Sequence, residues 1–107
     1  MRLFNPIFEL MDIAEIAEDI GYKIKLTRAA KGWRQEDLSR ESGASLQAIK
    51  NLEAGGNVEL ITFLKAIKAL DLGKAVWEAC KPNPQTLDEL DRIERARIES
   101  SRVRSKR

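Results

Sequence analysis

Apolar residues recur at three- and four-residue spacing along most of the first eighty positions, and no stretch alternates as a half-buried strand would. Ile13, Ile16, Ala17, Ile20 and Ile24, with Leu26 and Ala30 less regularly placed, mark the buried side of a helix that runs to about Lys31. Asp12 and Glu15 have the spacing of a capping box at its start. Gly21 interrupts this helix at about 1 kcal/mol relative to alanine, which either a close helix contact or a break in the helix would explain. Gly32 ends it, and Trp33 anchors the chain as it turns. Two short helices follow, Gln35 to Ser42 and about Leu46 to Glu53, with Leu38, Leu46, Ile49 and Leu52 spaced to face a small core. A glycine-rich turn at Gly55, Gly56 and Asn57 leads to a helix from Leu60 to Leu70. Its buried set is Leu60, Phe63, Leu64, Ile67 and Leu70. Gly73 breaks the pattern, and Ala75 to Cys80 adds a turn or two, with Val76 and Trp77 as its apolar content. The expected class is all-α, with five helices and no strand.

Lys81-Pro82-Asn83-Pro84 stops the periodic part, because two prolines in three residues cannot continue a helix. The expected division is an apolar extension over 1–11, a domain over 12–81 and a charged tail over 82–107. Asn5-Pro6 can open a short helical turn in the extension. Leu3, Phe4, Ile7, Phe8 and Met11 there either pack on the domain or meet another chain. The tail holds only Leu87, Leu90, Ile93 and Ile98 as anchors and is read as a solvated helix to about residue 99 or a disordered segment. Four of its last six residues are basic, which makes either a solvated end or a basic arm.

Charge sharpens this picture. The net charge of the 107 residues is only +2, but residues 1–20 carry one basic and five acidic side chains, whereas residues 21–53 carry seven basic and four acidic. An acidic start and a basic middle permit one face to meet nucleic acid. With one cysteine and no histidine, an internal disulfide is excluded, a zinc site is disfavoured, and no histidine-based general base exists. Cys80 reads as a small core residue or an idle thiol. No nucleophile–base pair stands out, so no enzyme, metal or cofactor is expected. No apolar run approaches the roughly 20 residues of a membrane span, and the N-terminus lacks the features of a signal peptide, so a cytoplasmic location is expected.

The candidate chemistry lies at residues 34–55. Gly43 supplies a sharp turn and Ser45 a helix cap, which makes a helix-turn-helix. Gln47, Ala48, Lys50 and Asn51 fall opposite the apolar side. Short polar side chains at the start of an exposed helix are what reading base edges requires, although an ordinary helical hairpin with a solvated face has the same spacing.

Residues 21–72 resemble the Cro/CI-type helix-turn-helix family, also called the XRE family. The likeness is carried by Gly21 to Arg28, Trp33, Gln-Glu-x-Leu at 35–38, Gly43, Ser45, Ile49, Leu-Glu at 52–53, Gly55, and the Leu-x-x-Phe-Leu run with Ala-Leu at its end over 60–70. The stretches GWRQEDLS and LITFLKAIKALDL further resemble the HipB-like antitoxins, which pair with HipA-type kinase toxins. The resemblance implies a lambda-repressor-like DNA-binding domain acting as a homodimer on palindromic operator DNA. It assigns phosphate contacts to Gln35, with Arg34 beside it, and base-facing or groove-lining positions to Ser45, Leu46, Gln47, Lys50 and Asn51. Leu46 either touches a thymine methyl or covers the core edge. Arg28 and Glu53 match a structural salt bridge between the first and third helices. Where the family often places basic residues after the third helix, this chain has none until Lys65, so backbone N–H groups of Gly55, Gly56 and Asn57 are expected to stand in. The 107 residues show no sensor segment, so a partner such as a HipA-like kinase would supply regulation. The rival expectations are a protein-interaction subunit that binds DNA weakly and a stand-alone phage-type repressor.

Overall fold

The structure, a computed structural model, describes residues 7–105, with side chains as far as residue 102. The described residues form one 3-10 turn and six α-helices, with no strand among them. The helices are α1 (Ile13–Ala30), α2 (Gln35–Ser42), α3 (Leu46–Glu53), α4 (Leu60–Ala69), α5 (Gly73–Ala79) and α6 (Leu87–Ser105). The count is one more than expected, and the additional helix lies in the tail. Contacts divide the chain into two compact units between Val76 and Trp77, inside α5 and upstream of the Pro82 stop.

In the first unit, α1 opens on a complete capping box. Asp12 Oδ1 accepts from the Glu15 N–H at 2.8 Å, and Glu15 Oε1 accepts from the Asp12 N–H at 3.2 Å. The helix does not break at Gly21. A Cβ there would collide with the backbone carbonyls of Leu52 and Glu53, so glycine is what lets α3 cross α1 this closely. The core gathers Ile24 from α1, Leu38 from α2, Ile49 and Leu52 from α3, and Ile67 with Leu70 at the end of α4. Trp33, Phe63 and Val76 pack against it from its edges.

Several positions expected in the core lie outside it. Ile13, Ile20, Leu26 and Ala30 on α1, and Leu60 and Leu64 on α4, are exposed, because the described helices do not reach over those parts of the two stripes. Met11 is half-buried, while Ile7, Phe8 and Leu10 are exposed around the 3-10 turn Phe8–Leu10. The expected turn at Asn5-Pro6, and Leu3 and Phe4, fall outside the described residues. Gly73 begins α5 rather than ending the pattern.

In the second unit, Cys80 and Trp77 are exposed, so Cys80 is not a core residue. Lys81 holds its ammonium 4.9 Å from the Trp77 ring centre. Thr86 and Glu89 cap α6 reciprocally, each side chain accepting from the other's N–H at 3.0 Å. This helix continues past residue 99, supported by pairs one turn apart such as Arg95 with Asp91 at 2.8 Å.

Candidate nucleic-acid interface

The elbow between α2 and α3 is built by short-range chemistry. Gly43 sits at φ +80°, in the left-handed region that favours glycine, and its N–H donates to the Ser39 carbonyl at 2.9 Å. The Ser39 hydroxyl donates to the Ala44 carbonyl at 2.6 Å, and Ser42 Oγ accepts from the Ala44 N–H at 3.1 Å. Ser45 then caps α3, its Oγ accepting from the Ala48 N–H at 3.1 Å. Ala44 itself is buried, so the turn is pinned by packing as well as by hydrogen bonds.

This elbow presents one face of α3 outward. Ser45, Gln47, Lys50 and Asn51 are exposed, while Leu46 and Ala48 are half-buried. Leu46 therefore covers the core edge with part of its surface and offers the rest outward. Gln47 Nε2 donates to Asn51 Oδ1 at 3.1 Å, one turn along the helix. Lys50 has no ion-pair partner among the described residues, which leaves its ammonium available to an anion. The Ser45 hydroxyl accepts one bond in the cap and keeps its O–H and a second lone pair for a ligand.

The start of α2 lies beside a network that joins three helices. Arg28 donates from Nε to Glu53 Oε2 at 2.6 Å and from Nη2 to Oε1 at 2.9 Å, and from Nη1 to the Trp33 carbonyl at 2.8 Å. The hydrogen bond to Glu53 holds the Arg28 pKa above its ordinary value, against the opposing effect of burial. Gln35 Nε2 donates to the same Glu53 Oε1 at 3.0 Å. The amide expected to meet a phosphate is thus oriented from behind by a buried carboxylate. Nothing in the spacing of Gln35 and Glu53 signals that bond. Arg34 is exposed, and its backbone N–H donates to Asp37 Oδ2 at 2.8 Å. That bond first, and the Arg40 guanidinium second, hold the Asp37 carboxyl below the ordinary value of 3.8.

The turn after α3 differs from expectation. The Gly55 N–H donates to the Leu52 carbonyl at 3.1 Å, and the Gly56 N–H donates to the Asn51 carbonyl at 2.8 Å. Both donors close the end of α3 and are not free for a phosphate, so the expectation for Gly55 and Gly56 is corrected. Exposed Asn57 is the part of the turn left for that role. Among the described residues, no cluster of three or more His, Cys, Asp or Glu is placed to hold a metal ion. None of the described helices is long and apolar enough to cross a membrane.

Residues 24–77 match the helix-turn-helix family. Two antitoxins of the name HipB are similar to this chain. The protein from Escherichia coli O6:H1 is 30% identical over 69 residues, which cover 64% of this chain and 73% of the relative. The protein from Escherichia coli K12 is 30% identical over 67 residues, covering 62% of this chain and 76% of the relative.

Proposed function

The chain belongs to the helix-turn-helix family of XRE type, and from that premise we propose that it is a sequence-specific transcriptional repressor serving as the antitoxin subunit of a toxin–antitoxin pair. The observation that carries this reading is the outward face of α3, where Gln47, Lys50 and Asn51 project from an elbow fixed by Gly43 and Ser45. Gln47 reads an adenine edge, and Lys50 donates to a guanine or a phosphate. Arg34, Gln35 and Asn57 position the domain on the sugar–phosphate backbone. Two copies occupy a palindromic operator with half-sites about one helical turn, roughly 34 Å, apart. The antitoxin role rests on the two relatives of that name, and a HipA-like kinase is the proposed partner.

The test is binding of the full chain to its own promoter fragment at two salt concentrations. Specific binding that weakens about 10-fold or more on Gln47→Ala is expected, since a good bidentate base contact is worth about 1–3 kcal/mol. Absence of any specific binding would overturn the reading. A second reading, a protein-interaction subunit with weak DNA affinity, is favoured by the commitment of the Gly55 and Gly56 donors within the chain. It predicts that a stable partner complex persists in a Gln47→Ala variant that no longer represses.

A further inference from the structure

The open ends of α1 and α4 enclose a groove of about 600 Å³. Ile13, Ala17 and Ile20 form one wall, Leu60 and Phe63 the other, and Gly55 to Val58 close one side. The lining is overwhelmingly apolar, yet Ile13 and Leu60 are exposed by 81% and 67%. The surroundings are acidic. Asp12 precedes Ile13 and Glu59 precedes Leu60. No lysine or arginine occurs over residues 7–22 or 51–64, the two stretches that build the groove.

We propose that this groove seats a basic amphipathic helix of a partner protein. The apolar walls, uncovered by the described residues, take the apolar face of a helix, the usual way such a groove is filled. The acidic rim selects an occupant with lysine or arginine flanking its apolar stripe and disfavours an acidic one, because like charges across an interface are penalised. The rim prefers the opposite charge from the outward face of α3, and Asn57, which lines the groove and is also proposed to meet the sugar–phosphate backbone, is common to both surfaces. The proposal does not depend on the DNA-binding reading.

The test uses the full chain, isotopically labelled, titrated with two synthetic peptides of about 14 residues that share a leucine stripe at helical spacing. One carries lysine and arginine on its flanks, the other glutamate. The basic peptide is expected to bind with amide shifts centred on residues 13–20 and 55–63, and the acidic peptide about 10-fold more weakly or not at all. The double variant Ile13→Lys with Leu60→Lys changes only exposed side chains and is expected to abolish binding while its spectrum stays that of a folded protein. Equal binding of the two peptides, binding unaffected by the double variant, or shifts centred on Gln47 and Lys50 would overturn the proposal. So would a sedimentation experiment in which the chain alone is a dimer that the double variant dissociates, because a second copy would then be the occupant.

Discussion

The two long helices of the first unit each have a closed end and an open end. On α1, Ile24 is 2% exposed and Ile13 is 81% exposed, although they belong to one apolar stripe. On α4 the order reverses, with Leu60 67% exposed at the start and Ile67 2% exposed near the end. Helical periodicity is the same at both ends. What differs is coverage: α3 crosses α1 at Gly21, α2 and α3 pack on α4, and the stripes extend past the area these short helices cover. The closed ends hold the fold and aim α3, while the open ends leave an apolar groove.

The largest expected effect is at the closed end. Replacing Arg28 with methionine strands the Glu53 carboxylate, which is buried and shared with Gln35. A broken buried pair costs about 3–5 kcal/mol. Thermal unfolding of Arg28→Met is expected to shift downward by many degrees, and Gln35 loses the fixed orientation of its acceptor, so the phosphate contact proposed for it is expected to weaken as well. A melting temperature close to that of the parent would show that the closed end is not held by this pair.

Gly21→Ala tests the crossing itself. The new methyl meets the carbonyls of Leu52 and Glu53, which belong to backbone and cannot simply rotate away. Overpacking of this kind costs about 1–3 kcal/mol. Helix propensity pulls the other way by about 1 kcal/mol, since alanine is the better helix former. The net expectation is a modest loss of stability together with weaker promoter binding, because α3 must shift to make room. A gain in stability would mean that α3 moves off α1 without penalty.

Much of the site was legible because its chemistry is local. Gly43, Ser45 and the Asp12–Glu15 capping box each act within four residues, so composition and spacing specify them. The outward face of α3, with Gln47, Lys50 and Asn51 exposed, followed from the same helical period. The bond from Gln35 to Glu53 was not legible, since it joins residues that only the packing of α2 against α3 brings together. The closure of the Gly55 and Gly56 donors onto α3 was equally hidden, because a glycine pair in a sequence does not say where its N–H groups point. Burial was overestimated at Ile13, Leu26, Leu60 and Leu64 for a related reason: a stripe shows which side of a helix is apolar and not how far its neighbours reach. Cys80 was read as possible core, but it lies just past the end of α5, which buries none of its residues.

A smaller effect is expected at the start of α2, and it depends on pH. The folded state holds the Asp37 carboxyl below 3.8 through the Arg34 N–H and then Arg40. A group depressed in this way contributes stability above its unfolded value and loses it as pH falls through the folded value. Acid titration below about pH 4 should therefore loosen the first turn of α2, and with it Arg34 and Gln35, before the core opens. Asp37→Asn removes that pH dependence. Amide exchange at Asp37 and Leu38, followed from pH 5 to pH 2, checks the difference, and identical exchange profiles in the two proteins would exclude the mechanism.

The smallest effect is expected at the open end, and it bears most directly on the comparison. Ile13→Ala removes the same number of atoms as Ile24→Ala, from the same stripe of the same helix. At Ile24, truncation leaves a cavity among Leu38, Ile49 and Ile67 and costs about 2–5 kcal/mol. At Ile13 most of the side chain already meets water, so truncation is expected to change stability by no more than about 0.5 kcal/mol. The two denaturant midpoints, measured side by side at equal protein concentration, give the contrast. If Ile13→Ala also lowers the midpoint strongly, the groove is already covered in the free protein and the open end is closed by a second copy. In that case the loss should grow as the protein is diluted, because a dimer's stability depends on concentration, whereas the cost at Ile24 contains a part that does not.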